Sequence, residues 1–92
     1  MILATLLYIQ NDKGEYLLME RQKNPNKGLI SPPGGKVETA SAESPVHCAV
    51  REAMEECGIN SVSSDWKLAG IVTENKYPHI GNVMIFLMKY KP

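Results

Sequence analysis

The sequence predicts strands arranged around one central helix, the pattern of an α/β or α+β domain. Three observations predict it. Segments 2–10, 15–22, 66–73 and 83–90 are rich in apolar and aromatic residues and are bounded by turn signals. Residues 45–57 form one well-capped helical stretch with apolar residues at helical spacing. Strands precede and follow that helix, and no repeat, low-complexity tract or linker divides the 92 residues, which suffice for one domain over 1–92 and not for two.

Taken in order, residues 2–10 read as a strand, and Asn11-Asp12-Lys13-Gly14 as a turn in which Gly14 supplies a positive φ. Residues 15–22 then read as a second strand, so the opening is expected to be a hairpin. Residues 23–28 are a loop carrying Lys23 and Lys27, and 29–31 are extended. Pro32-Pro33 forbids helix there, and Gly34-Gly35 leaves bare backbone. Ser44 is the expected N-cap, Pro45 suits the first helical position, and Gly58 suits the position just past the end. Val46, Ala49, Val50, Ala53 and Cys57 fall in a stripe roughly 100° wide, the expected core side. His47 stands where Glu would complete a capping box. A polar loop at 60–65, a strand at 66–73, a turn at 77–82 and a strand at 83–90 follow.

Composition narrows the function. Ten basic and ten acidic residues cancel, so the chain offers no general attraction to duplex nucleic acid or an anionic membrane. An anionic ligand must be held by local basic groups or by metal. Cys48 and Cys57 lie nine residues apart on one helix and point to opposite sides, so they cannot pair. Unpaired thiols fit a reducing compartment. The apolar start at 2–9 lacks a basic leader and is too short to span a bilayer, and the chain reads as cytoplasmic.

Chemistry concentrates on the helix. Glu52, Glu55 and Glu56, at spacings of three and four, share one face away from the apolar stripe. Acidic helix faces are commonly just solvated. Here the mutual repulsion would be relieved by a divalent cation, and hard oxygen donors suit Mg²⁺ or Mn²⁺. Gly34-Gly35, just upstream, allows backbone to approach a ligand or lend a carbonyl to a metal, and Lys36 could meet a phosphate.

The run Gly35-Lys36-Val37-Glu38, then Glu43, then Arg51-Glu52-Ala53-Met54-Glu55-Glu56-Cys57-Gly58-Ile59 resembles the Nudix box. That signature is a glycine, five residues, Glu, seven residues, Arg-Glu, an apolar residue, any residue, Glu-Glu, any residue, Gly and an apolar residue. From Glu43 to Ile59 the match is complete, with Ala53 as the apolar residue. The departure is that seven residues, not five, separate Gly35 from Glu43. The extra length falls in Thr39-Ala40-Ser41-Ala42, an expected loop tip that can bulge outward at little thermodynamic cost.

The resemblance implies an α/β fold of the Nudix type, an α/β/α sandwich with a mixed sheet, and a metal-dependent hydrolase that cuts a phosphoanhydride bond. It implies Glu52, Glu55 and Glu56 as metal-binding carboxylates, with the Gly34 carbonyl as a further ligand. Arg51 resembles the family's orienting arginine, able to reach Glu55 at i,i+4 or to hold Glu43, itself expected behind the metal ligands. Clustered Mg²⁺, with Mn²⁺ as a substitute, would neutralise phosphate charge and activate water. The substrate implied is a nucleoside triphosphate, as for MutT-like members acting on oxidised purine nucleotides, with a nucleoside diphosphate-linked compound as the alternative. A third alternative is a weakly active nucleotide-binding or interaction domain.

Other residues carry weaker expectations. Arg21, Lys23 and Lys27 could grip phosphates or be solvated loop charges; Gly35 and Lys36 belong with them as substrate-binding candidates, and Ser31 is a base-pocket candidate by resemblance. His47, His79, Trp66 and Phe86 read as surface or core residues, and Cys48, near the carboxylate side of the helix, as a bystander. Nudix domains generally continue with further strands and a second helix, which this sequence lacks before Pro92. A fragment, a naturally short form, and a homo-oligomer whose partner completes the sheet are the competing expectations, with the exposed terminal strand 83–90 leaving one sheet region or face under-covered.

Overall fold

A computed structural model describes residues 1–22, 27–75 and 81–91. Lys23, His79 and most of the expected 77–82 turn lie outside the described residues. The elements are β1 (Ile2–Tyr8), β2 (Met19–Glu20), β3 (Ile30–Ser31), β4 (Gly34–Lys36), α1 (Pro45–Cys57), β5 (Trp66–Glu74) and β6 (Val83–Tyr90). Short 3₁₀ turns at Thr39–Ser41 and Ser63–Asp65 flank α1. The fold is α/β, with a mixed four-stranded sheet in the order β4-β1-β6-β5. β1 runs parallel to β6 and antiparallel to β4, and β6 runs antiparallel to β5. A parallel pair needs a crossover, and the connection that contains α1 provides it.

Helix α1 has the expected bounds for the expected reasons. The Ser44 hydroxyl accepts a hydrogen bond from the His47 N–H at 3.2 Å, satisfying one of the orphan donors of the first turn. Gly58, at φ 67°, ends the helix, and its N–H and that of Ile59 return to the Met54 and Ala53 carbonyls. The core lies between this helix and one sheet face. Leu7 and Ile9 of β1, Ala49 and Ala53 of α1, Trp66 of β5 and Met88 of β6 are buried together. Val46, Val50, Cys57 and Phe86 pack around them. The Trp66 indole N–H is satisfied by the buried Ser61 hydroxyl at 2.9 Å.

Two expectations are corrected. The strand expected over 15–22 is regular only at Met19–Glu20, and it pairs with Ile30–Ser31 rather than along β1. The opening hairpin is reduced to a bridge between Gln10 and Tyr16 and a bond from the Leu17 N–H to the Ile9 carbonyl, beyond the end of β1 at Tyr8. The cause is competition for backbone partners: β4 and β6 already occupy both edges of β1. The second correction concerns 83–90. That strand is not the uncovered one; it lies between β1 and β5, paired on both sides, as its continuous apolar run suits. Among the described residues the outer strands are β4 and β5, and on β5 Leu68, Ile71 and Val72 are exposed. Among the described residues α1 is the one α-helix, so the described layers are helix on sheet rather than a full sandwich.

Candidate metal and phosphate site

The site begins with two glycines on β4. Gly34 and Gly35 stand opposite Leu6 and Thr5 of β1. A β-carbon on Gly34 would collide with the Thr5 carbonyl, so only glycine permits this strand approach. At Gly35 the space is taken from the other side: a β-carbon would stand 2.5 Å from Glu52 Oε1. The first residue admits the strand, and the second admits a carboxylate. The Gly34 N–H donates to Glu56 Oε2 at 3.0 Å, tying the loop backbone to the next turn of the helix. Glycine loop and acidic helix face are therefore one constellation.

Arg51 organises the remaining carboxylates. Its Nε and Nη2 donate to Glu43 Oε2 and Oε1 at 2.7 and 3.0 Å, a two-point fork. Nη2 also donates to the Lys36 carbonyl at 3.0 Å. Nη1 donates to Glu52 Oε1 at 2.8 Å and Glu55 Oε2 at 3.2 Å, and Glu38 lies 3.7 Å away. Both alternatives open in the sequence, Glu43 and Glu55, are realised together. The longer loop does not displace Glu43. Residues 39–41 fold out as a 3₁₀ turn, and the segment is closed by the Glu38 N–H to Glu43 Oε1 and the Glu43 N–H to the Glu38 carbonyl.

The electrostatics separate the carboxylates. The Arg51 fork holds the Glu43 carboxyl down at about 2, and the guanidinium is correspondingly fixed in its charged form. Glu52 moves the opposite way: burial, then the charge of Glu56, raise its proton affinity, and the Arg51 hydrogen bond only partly offsets them. Glu52 is thus a nearly buried carboxylate whose charge is under-compensated. Glu55 and Glu56 are exposed. The three share a helix face as expected. Among the described residues, however, no three His, Cys, Asp or Glu side chains are gathered as a ready-made cage for one ion. Their oxygens are turned to different partners: the Gly35 approach and Arg51 for Glu52, Arg51 for Glu55, the Gly34 N–H for Glu56.

Beside Glu56 and Gly34 opens a cavity of about 280 Å³, walled by Met19, Arg21, Gln22 and Ser31 among others. Arg21 and Ser31 therefore meet the acidic site at one opening, while Lys36 is exposed on the far end of β4. Beneath the glycines lie Thr5, which the sequence reading does not single out, and Cys48, which it takes as a bystander. The Thr5 hydroxyl, 2% exposed, donates to the Gly35 carbonyl at 3.4 Å. The Cys48 thiol, fully buried, lies 3.4 Å from Thr5 Oγ1 and 3.6 Å from the Lys36 carbonyl. Burial pushes this thiol up to about 11, so it remains protonated and can donate. The available signal was parity: Thr5 alternates with the buried Leu7 and Ile9, which places a polar group on the inward face of β1.

A mixed sheet carrying a helix whose acidic face meets a glycine loop defines a class of α/β chain, and comparison with known proteins specifies it. The family model for the NUDIX domain matches residues 2–88. The chain belongs to the Nudix family. Three solved structures share its fold. A MutT protein from Methanosarcina mazei Go1 is 33% identical, with a TM-score of 0.80 over 97% of this chain and 62% of that one. A MutT Nudix hydrolase from Burkholderia pseudomallei is 24% identical, with a TM-score of 0.84 over 99% of this chain and 67% of that one. A MutT/Nudix family protein from Enterococcus faecalis is 20% identical, with a TM-score of 0.83 over 98% and 36%. The chain thus spans from about a third to two thirds of the length of these relatives. Among the described residues no helix is long and apolar enough to cross a membrane.

Proposed function

We propose that this chain, as one Nudix domain, is a Mg²⁺-dependent hydrolase of nucleoside triphosphates, releasing nucleoside monophosphate and pyrophosphate. One observation carries the reading: Glu52 and Glu56 both meet the Gly34–Gly35 segment, and Glu56 and Gly34 line the cavity that Ser31 and Arg21 also help to wall. The triphosphate substrate, oxidised purine nucleotides included, is the one the MutT-like resemblance of the sequence implies, and the likeness to the Methanosarcina MutT protein agrees with that resemblance.

The residues fit a divalent cation on two counts. Glu52, Glu55, Glu56 and the Gly34 carbonyl are hard oxygen donors of the kind Mg²⁺ or Mn²⁺ takes. Glu52 is also largely buried beside Glu56, and that burial, then the Glu56 charge, raise its proton affinity above that of a free carboxylate, a penalty a cation would offset. When bound, such a cation supplies charge neutralisation on the phosphates and makes water more acidic. The chain's own groups do the rest. Arg51 keeps Glu52 and Glu43 oriented, and the bare glycine backbone lets a phosphate approach closely. Arg21, Lys23 and Lys36 lend positive charge to the polyphosphate, and Met19 and Ser31 wall the base. The two unpaired thiols suit a cytoplasmic setting. A second copy completing the sheet would use the edge of β5.

The test is pyrophosphate release, followed by ³¹P NMR, from a panel of ordinary and oxidised nucleoside triphosphates with Mg²⁺. Release is expected from at least one of them and should fall at least about a hundredfold in Glu56→Gln. Equal turnover by Glu56→Gln, or no release from any triphosphate, overturns the reading.

A further inference from the structure

Among the described residues, the polar contacts between helix α1 and β4 are of two kinds. The first is charged. Glu56 accepts the Gly34 N–H and Arg51 donates to the Lys36 carbonyl, both at 3.0 Å. These groups belong to the site that the proposed function gives to a cation and phosphates, so their partners are open to exchange when ligands bind. The second is neutral and runs through Thr5 and Cys48. These residues come from different elements, β1 and α1, and are 2% and 0% exposed. Their side chains meet at 3.4 Å. Each faces a carbonyl of β4: the Thr5 hydroxyl donates to Gly35 at 3.4 Å, and the Cys48 thiol to Lys36 at 3.6 Å. Two hydrogens thus serve two adjacent carbonyls out of reach of water. Both bonds are long and weak, so their worth lies in position rather than energy.

Two placements connect this pair to the chemistry. Cys48 stands one turn before Glu52 on the same face of α1. Gly35, whose carbonyl Thr5 holds, is also the residue against which Glu52 packs, with Oε1 in the space of an absent β-carbon. A shift of the Gly35 backbone is therefore a shift in the seat of Glu52. From this geometry we infer that Thr5 and Cys48 are positioning residues for the proposed hydrolysis: their hydroxyl and thiol pin the Gly35 and Lys36 carbonyls to the helix, and so set where Glu52 stands against the glycine strand. Both lie beneath the strand and act only through it. Burial keeps the thiol protonated, so it remains a donor. The tie carries no charge, so it persists when a cation draws Glu56 from the Gly34 N–H. This inference rests on the proposed function for its catalytic consequence.

The test uses Thr5→Val, which nearly keeps the shape of the side chain and loses its hydroxyl, with Cys48→Ala, Cys48→Ser and the Thr5→Val/Cys48→Ala double variant. Thermal melts fix a temperature at which each is folded. Carbonyl ¹³C shifts are read by NMR without metal or nucleotide. Thr5→Val should move the Gly35 carbonyl, and Cys48→Ala the Lys36 carbonyl, each toward the value of a more weakly bonded carbonyl. In the parent chain the Cys48 S–H stretch, told from that of Cys57 by Cys57→Ala, should absorb as a hydrogen-bonded thiol. Turnover is measured with the triphosphate of the panel that the parent chain cleaves fastest. We expect kcat to fall about tenfold in Thr5→Val and in Cys48→Ala, with KM within about twofold. Cys48→Ser, which keeps a donor, should recover most of that loss. The double variant should lose less than the product of the two single losses, because the side chains touch. Parent kcat in folded Thr5→Val and Cys48→Ala overturns the inference, since a merely structural role costs stability alone. So does equal loss in Cys48→Ser and Cys48→Ala, which would make the sulfur a filler of space. A free-thiol S–H stretch for Cys48 overturns it too, and that measurement needs no variant at 5 or 48 to fold. If the parent chain cleaves no triphosphate, the proposed function fails and takes the catalytic consequence with it. If it does cleave one and the two carbonyl shifts stay at parent values, only the role of the pair fails.

Discussion

Glu52 Oε1 lies 2.5 Å from the point where a β-carbon on Gly35 would stand. The atom that must yield is the end of a flexible side chain, and Gly35 has no positive φ to protect. Gly35→Ala should therefore fold, at a cost of about 1 kcal/mol, while moving the Glu52 carboxylate away from the glycine loop. Misplacement on the ångström scale at a reacting centre is worth up to about a hundredfold in rate. We expect kcat to fall at least about tenfold with a small change in melting temperature. Wild-type kcat in a folded Gly35→Ala protein would remove Glu52 from the machinery.

Gly34→Ala should behave in the opposite way. Its β-carbon meets the Thr5 carbonyl, which is backbone and cannot rotate aside. The pairing of Leu6 with Gly34 must open, and β4 must leave the edge of β1. Destabilisation of about 3 kcal/mol is expected from urea denaturation, several times that of Gly35→Ala. Similar urea midpoints for the two variants would contradict this account of the double glycine.

The two shifted carboxylates predict opposite effects of pH on stability. The Glu43 carboxyl is held at about 2 against a usual value of 4.5. Its contribution, on the order of 3 kcal/mol, is therefore complete above about pH 5 and is lost as pH falls toward 2. Melts between pH 5 and 2 should show a steep acid limb that Glu43→Gln flattens, with lower stability at neutral pH. An unchanged acid limb would mean that the Arg51 fork does not persist in solution.

Glu52 carries the opposite sign. Its proton affinity is raised, so the charged form is a penalty that is fully present above its folded pKa and relieved on acidification. Glu52→Gln should stabilise the metal-free protein at pH 7 by about 0.5 kcal/mol, or roughly 2–4 °C. Adding Mg²⁺ should then raise the melting temperature of the parent chain more than that of Glu52→Gln. A larger Mg²⁺ shift in the variant would detach Glu52 from the cation site.

How far the sequence foretells this arrangement depends on whether the deciding interaction is local. Helix α1 is legible to the residue because its ends are set by Ser44, Pro45 and Gly58 within the helix itself. The shared face of Glu52, Glu55 and Glu56 follows from the same periodicity. The fate of 15–22 is not local. It is decided by β4, a Gly-Gly-Lys strand without apolar alternation, which takes the edge of β1 that a hairpin would need. The place of β6 is likewise decided by β1, a partner some eighty residues upstream in the chain. The burial of Glu52 depends on a glycine across the loop, so its raised proton affinity is a tertiary property that helix spacing cannot report.

The loop longer than the family pattern leaves a mark of its own. Ala42 has φ 57° and ψ 32°, the left-handed conformation, and its N–H closes the 3₁₀ turn on the Thr39 carbonyl. A β-carbon there costs on the order of 1–2 kcal/mol, partly regained because alanine has less freedom than glycine in the unfolded chain. Ala42→Gly should therefore stabilise the domain by about 0.5 kcal/mol, visible as a higher urea midpoint with an unchanged slope. Turnover should be unaffected, since the turn bulges away from the Arg51 fork while Glu43 stays bound to the Glu38 N–H. Destabilisation by Ala42→Gly would show that the added residues do not adopt this turn in solution, and that Glu43 reaches Arg51 by another path.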